Sequence, residues 1–354
     1  MALVFADGFD HYLAADCLKK WTGVINGMSA SSITVRPDYA RPPSGMGIGF
    51  ADGNGSRGIY KTFGSTYSSF VCGFAMYTGV TVPTTTTAVF LGLYDSSTSV
   101  ANTFQLALRF DAGAHLVVAT GGNAGTVLAT STNTFSAATW YHIELKATIH
   151  NTTGTYEVKV NGTSVGWIPA ATGKDTAGQS ANNYIDTVAI ASAAESLRIY
   201  FDDFYFLSST SPNNDFLGPI KVVTAFPSGA GNYAQWAGNY ASNFTNVQEL
   251  AADGDSTFNQ SAVANQIDTF AFDDLPAGTI AAVQDVMMAR QDAGAARVVR
   301  TKFRSGSTDY NGSSFSMAGS HQFHCDPRDV DPATSSAYIV SNFNAQERGY
   351  ELVS

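Results

Sequence analysis

The sequence predicts an all-β chain built as two successive antiparallel sandwiches, and three observations carry that prediction. Between Trp140 and Ile149 the apolar residues Tyr141, Ile143, Leu145, Ala147 and Ile149 alternate strictly with His142, Glu144, Lys146 and Thr148. Period-two alternation describes a strand with one face on a core and the other in water. Asn161-Gly162 directly follows the alternating run Tyr156 to Val160. That pair supplies the positive φ angles of a type I′ turn and closes a hairpin onto Thr163-Ser164-Val165. Finally, apolar residues make up 44% and charged residues 14%, with Gly, Ser, Thr and Asn abundant, the composition of short strands joined by many turns.

Taken in order, residues 3–12 read as a first strand and turn. Leu13 to Trp21 reads as a short helical segment with Asp10 placed as its N-cap. Beyond the Pro-rich loop at Arg41-Pro42-Pro43, Gly47 to Phe50 and Gly58 to Phe63 flank Asp52-Gly53-Asn54-Gly55 as an expected hairpin. Strands are then expected over Phe70 to Val80, Ala88 to Tyr94, Thr103 to Phe110 and His115 to Thr120. Phe104, Leu106, Leu108 and Phe110 share one face; Gln105 and Arg109 take the other, and Asp111-Ala112-Gly113 is a tight connection. Cys72 alternates with Phe70, Phe74 and Met76, which marks a core thiol.

The meander starting at Trp140 needs a second sheet over its apolar side. Gly166 to Asn183 reads as a polar loop, and Tyr184 to Ala191 and Leu197 to Leu207 complete the sheets. About a dozen strands before residue 208 suit a two-sheet jelly roll. Ser208 to Asn214 is small and polar, as a linker should be, so residues 209–218 are expected to be a linker and residues 219–354 a smaller sandwich. There Ala281 to Arg290 is helical by composition, but Arg297 to Arg304 following Asp292-Ala293-Gly294 favours a strand hairpin. Further strands are expected at Ser314 to Met317, His321 to His324, Ala337 to Val340 and Gly349 to Val353.

The formal net charge of −10 argues against a nucleic-acid partner, whose binding rests on Lys and Arg at phosphates. The sparse odd set Cys17, Cys72 and Cys325 makes no disulfide framework. No apolar run approaches the roughly 18 residues of a membrane span. The opening Met1 to Gly8 has no basic stretch or long apolar run of a secretory signal, so synthesis and folding in a cytoplasm are expected.

Chemistry has few places to reside. Glycoside hydrolysis needs two carboxylates across one bond, but Glu144 stands alone on its strand, and Asp202-Asp203 are adjacent and so expected to face opposite ways. His321 and His324 have opposite parity on a strand and match no zinc spacing. Asp253-Gly254-Asp255-Ser256 is too short for a calcium loop and reads as a turn; lectin-type calcium near Asp7, Asp10 or Asp202 is a weaker alternative. No nucleophile elbow or phosphate-cradling glycine loop is present. Neither cofactor, metal nor catalytic residue is assigned. Two contact surfaces are: an aromatic loop of Tyr233, Trp236 and Tyr240, and a basic stripe of Arg300, Lys302 and Arg304, which share parity on one strand. A solvated face is the plainer reading of the stripe, an interface with an acidic neighbour the functional one.

The strand Trp140 to Leu145, its turn and Tyr156 to Gly162 resemble the late strands of concanavalin A-like (laminin G-like) sandwiches, and Ile199 to Tyr205 resembles that fold's closing edge. Taken whole, the chain resembles a family of tailed-bacteriophage virion proteins. The residues that carry this are Phe5 to Tyr12 with Lys19-Lys20-Trp21, Phe201 to Leu207 with Asn213 to Val222, Asp268 to Phe270 up to Gly294, and Asn342 to Tyr350. The resemblance implies a non-enzymatic virion protein, tail-associated or surface-decorating, whose partners are other virion proteins and copies of itself. A receptor-binding lectin that takes host-surface glycan is the alternative, and a head-stabilising decoration protein a third. No site residue carries over from it, and neither membrane insertion nor nucleic acid is expected.

Overall fold

A computed structural model describes residues 2–43, 45–50, 57–82, 88–95, 104–122, 124–192, 199–292 and 294–354. The expected turn at Asp52 to Gly55 lies outside them. The chain is all-β and divides into two compact units, essentially Val4–Val223 and Thr224–Ser354.

In the first unit, one sheet runs in the order Thr163–Lys174, Gly154–Val160, Trp140–Thr148, Ser69–Tyr77, Tyr200–Leu207, Gly47–Phe50, Ile33–Arg36, with Leu3–Asp7 as an eighth strand also on Tyr200–Leu207. The other runs Val127–Thr134, His115–Thr120, Phe104–Phe110, Ala88–Tyr94, Ile185–Ser192, Arg57–Tyr67, Gly23–Val24. The inward residues of both close over one another. Phe74 meets Phe90 at 6.3 Å between ring centres, and Phe90 meets Phe110 at 4.8 Å. Phe70, Phe74, Phe90, Ile143, Leu145, Phe201 and Phe206 are fully buried, each contributing about 1.5–3 kcal/mol of apolar transfer. Cys72 lies among them as a free thiol.

The meander forms in the expected register, with Ile143 opposite Val160 and Asn161 at φ 51° in the turn. Other expectations are corrected. Gly47–Phe50 and Arg57–Tyr67 are not a hairpin but belong to different sheets. Tyr200–Leu207 is an interior strand, not an edge, because Ser69–Tyr77 and Gly47–Phe50 flank it. The expected loop after Gly166 continues as strand to Lys174, and Val127–Thr134 is a strand the alternation did not reveal. The helical segment is a 3-10 turn, Ala14–Asp16, and one α-turn, Cys17–Lys20. Asp10 does not cap it; its carboxylate accepts the Met46 amide at 2.6 Å.

The outward face of the larger sheet is not solvated as the alternation implies. His142 and Glu144 are 2% and 0% exposed. Residues 215–222, the end of the expected linker and the start of the expected second sandwich, cross this face as a strap. The amides of Leu217 and Gly218 donate to Glu144 Oε1 at 2.8 and 3.0 Å, beside the Tyr205 hydroxyl at 2.5 Å. Gly218 has φ 79°, a conformation that lets two consecutive amides converge on one oxygen. Lys146 pairs with Asp215, and the Lys159 ammonium sits 4.2 Å from the Phe216 ring centre.

The second unit has a five-stranded sheet in the order Pro227–Ala234, Ile267–Phe272, Gln346–Leu352, Val298–Ser305, Thr308–Ser316. Val283–Ala289 is a strand, as the hairpin reading required, but its partner is Gln322–Arg328 rather than the Arg297 to Arg304 run. Ala337 to Val340 is not a strand; the chain turns there into the short helix Val340–Asn344. Apolar burial is modest here, and charge fills the gap. Asp285 binds Arg328 at 3.0 Å and Arg348 at 2.7 Å, while those guanidiniums lie 4.6 Å from Phe303 and Phe343. Buried charges survive only when paired in this way.

Candidate functional site

The sheet built around Ala88–Tyr94 and Phe104–Phe110 carries an open cleft of about 470 Å³, within the range of small-molecule sites. Its floor departs from simple strand parity, because the ladder between Ala88–Tyr94 and Phe104–Phe110 is bulged after Val89 and before Tyr94. Val89, Ala189 and Ala191 are small and leave depth, while Tyr94 and Phe104 supply rings 4.2 Å apart and tilted by 52°; Phe104 thus lies on the cleft and not, as expected, on the core face with Leu106, Leu108 and Phe110. Gly92 is required: a Cβ there would stand 2.5 Å from the Tyr94 hydroxyl. Burial pushes the Tyr94 phenol well above its ordinary value, so it stays neutral.

The walls are loops, and one is braced. Gln105, expected to face away from the core, does so and is fully buried beneath the chain around Gly178. Its Oε1 accepts the Gly178 amide at 2.7 Å, and its Nε2 donates to Ser180 Oγ at 2.9 Å and the Asn182 carbonyl at 2.8 Å. Asp95 accepts from Asn182 Nδ2 at 2.6 Å and from the Ser180 hydroxyl. Gln179, next to the braced Gly178, lines the cleft together with Asn26, Thr120 and Thr126. The described lining consists of amides, hydroxyls, glycine backbone and aromatic or aliphatic surface. Such a lining can hydrogen-bond a neutral polyhydroxylated ring over an apolar floor in which Tyr94 and Phe104 are themselves nearly buried. The alternation places Leu106, Leu108 and Phe110 but misplaces Phe104, and it gives no sign of the cleft, whose walls come from segments distant in sequence.

The expected contact residues lie in the second unit, and two of the sets meet. Tyr233 donates to Asp309 Oδ2 at 2.7 Å, and Arg304 binds Asp309 Oδ1 at 2.6 Å with its guanidinium 5.4 Å from the Tyr233 ring. Trp236 is half-buried, donates from Nε1 to the Gln266 carbonyl at 3.0 Å, and meets Tyr350 edge-on at 4.7 Å. Tyr240 is 81% exposed. The stripe is charge-compensated: Glu351 lies opposite Arg300 in the ladder, takes it bidentately at 2.7 and 3.0 Å, and takes Lys302 at 2.9 Å. Those contacts hold the Glu351 carboxyl below its usual range against the effect of burial.

The acids weighed for chemistry are also occupied. Asp7 accepts from Phe9, Tyr12 and Trp21 and pairs with Lys20. Asp202 and Asp203 do not face opposite ways, because a bulge with Asp203 at φ 53° turns both toward Arg41. Asp253 caps its own turn through Thr257, and His324 packs on Phe315. Among the described residues, no three His, Cys, Asp or Glu side chains are placed to hold a metal ion. Nor is any described helix long and apolar enough to cross a membrane.

No family model matches the chain, and no curated protein matches it. Among solved structures, it is similar to a cellulose-induced protein, Cip1, at 15% identity over 54% of this chain and 92% of that one, with a TM-score of 0.39. It is also similar to the CBM2 module of the evolved Dit of Lactobacillus casei BL23 phage J-1, at 15% identity over 58% and 95% and a TM-score of 0.36. A third is a Bacillus subtilis protein of unknown function with a galectin-like fold, at 8% identity over 50% and 88% and a TM-score of 0.35.

Proposed function

We propose that the chain is a non-enzymatic structural subunit of a tailed-bacteriophage particle, tail-associated or surface-decorating, acting through contacts with other particle proteins and copies of itself. One observation carries the reading. The two motifs through which the first unit resembles such proteins, Phe5 to Trp21 and Phe201 to Val222, fold into buried clamps whose acids are occupied by structural donors. Residues of this kind hold a shape. Quantitative mass spectrometry of purified particles tests it: many copies per particle support the role, and absence from particles overturns it.

The cleft favours a second reading, in which the first unit also takes a neutral glycan. Its uncharged lining, with the amides of Asn26 and Gln179 and the hydroxyls of Thr120 and Thr126, supports binding. Screening the whole chain on a glycan array tests this: reproducible binding that Asn26→Ala and Gln179→Ala abolish without loss of folding supports it, and a blank array or insensitivity to both overturns it.

A further inference from the structure

We propose that Lys20 and Asp7 condense spontaneously into an intramolecular isopeptide bond, cross-linking the first strand to the helical turn that follows it. The two side chains are 1% and 0% exposed, and Lys20 Nζ lies 3.0 Å from Asp7 Oδ1. The pocket is arranged for acyl transfer more closely than an ion pair requires. On one side of the carboxyl, Tyr12 Oη and Trp21 Nε1 both donate to Oδ2, at 2.6 and 2.7 Å. Those are two neutral donors aimed at the oxygen where negative charge develops when an amine attacks Cγ. On the other side, Nζ is oriented by the Ala6 carbonyl at 3.1 Å and by His11 Nε2 at 3.1 Å.

An ammonium has only donors, so His11 Nε2 accepts from it and carries no proton of its own. Burial and the adjacent Lys20 charge depress His11 to about 3, which keeps the ring neutral, so it accepts the Nζ hydrogen bond and passes a proton on without retaining it. The surroundings are aromatic: Trp21 stacks on Phe9 at 6.1 Å and meets Phe5 at 5.4 Å and Phe204 at 5.3 Å. Burial works against the Asp7 carboxylate, but the Lys20 charge beside it and the donors Tyr12 and Phe9 outweigh burial and hold the carboxyl below its usual range, so the pair rests as an ion pair and must pass one proton across before the amine can attack.

The step balances without a further reagent. One Nζ proton passes to Asp7 Oδ1, and the free amine attacks Cγ, placing charge on Oδ2. The Nζ–Cγ bond forms, His11 relays a second Nζ proton to Oδ1, and the Cγ–Oδ1 bond breaks to release one water. The product is a neutral secondary amide in place of two buried charges. Fixed proximity supplies the driving advantage, since effective molarities in such arrangements reach about 10⁵–10⁸ M.

Intact-mass spectrometry of the full chain, denatured after purification, tests the bond. The expected mass is below the sequence mass by one water, trypsin fails to cut after Lys20, and tandem spectra give a branched peptide joining Lys20 to Asp7. Lys20→Arg restores the sequence mass. After refolding from denaturant, His11→Ala slows the loss of water by about a hundredfold. Wild-type chain at full sequence mass after prolonged incubation at neutral pH overturns the proposal. So does a water loss mapped to a succinimide at Asp7-Gly8 with Lys20 still cleaved by trypsin. Both of these are read on the unaltered chain, so they decide the matter even if a variant fails to fold.

Discussion

Asp202 and Asp203 adjoin in sequence and converge in space: Asp202 Oδ2 accepts the backbone amide of Arg41 at 2.7 Å, while Asp203 Oδ2 takes its guanidinium at 2.7 Å. The Asp203 amide also donates to Asp202 Oδ1 at 2.7 Å, which locks the bulge. Burial, with the Asp203 charge beside it, pushes the Asp202 carboxyl from 3.8 up to about 8. Asp10, which feels Asp203, is pushed up to about 6, chiefly by burial.

These shifts set a pH dependence. An acid with a folded value above its unfolded one holds its proton longer when folded, so its contribution falls as pH rises between the two values. Asp202 therefore makes the first unit progressively less stable from about pH 4 to about pH 8, with no further loss from this group above that. Asp202→Asn removes the ionisation but offers one acceptor oxygen where the carboxylate offers two, so it gives up either the Arg41 or the Asp203 amide at every pH. Measured against wild type at the same pH, the variant should therefore gain on going from pH 5 to pH 9, by roughly 2–4 °C per kcal/mol recovered. Melting curves at pH 5 and pH 9 check this; an equal difference at both would refute it.

Glu144 anchors the strap. Glu144→Ala leaves the Tyr205 hydroxyl and the amides of Leu217 and Gly218 without their shared acceptor. Unsatisfied buried donors cost about 1–3 kcal/mol each, less whatever water re-enters. We expect the first unit to lose about 2–4 kcal/mol by denaturant titration. Limited proteolysis should then cut near residues 209–222 far faster than in wild type.

Trp236→Ala should act on stability. The indole contacts Tyr350 and Gln266 within the second unit, and large-to-small changes at such sites cost about 3–5 kcal/mol when buried and less when half-buried. A lower melting point for the second unit is the expected result. An unchanged melting point would mark the indole as free for a partner.

Glu351 gives the second unit the opposite pH response. Its carboxyl is held below the usual range by Arg300 and Lys302, against burial. The stability it contributes is present above the unfolded carboxylate value and is lost as pH falls through the folded one. Glu351→Gln should therefore destabilise the second unit at pH 7 and reduce its acid sensitivity, measured by tryptophan fluorescence of Trp236 on acidification.

Local pattern disclosed the sheets but not their partners. Tyr141 to Ile149 and Asn161-Gly162 specify a strand, a face and a turn within a few residues, and all three form. Alternation cannot say which distant strand lies alongside. Gly47–Phe50 and Arg57–Tyr67 thus looked like a hairpin, and Val283–Ala289 was given the wrong neighbour. The same limit hid the cleft and the polar layer. His142 and Glu144 read as solvated because the strap covering them comes from residues some seventy positions later. Asp202 and Asp203 read as divergent because one positive φ angle overrides strand parity. Arg300, Lys302 and Arg304 read as a stripe, whereas the acids that neutralise them lie on other strands.

The strap also has a fixed order of release. Peeled from its residue 222 end, it gives up the Val222 amide on Asp203, then the contacts of Lys221 and Ile220 with Arg41, and only then the pair of amides on Glu144. Those few side-chain contacts would yield in sequence while the described strands of the first unit stay paired, which makes residues 215–222 a mechanical fuse.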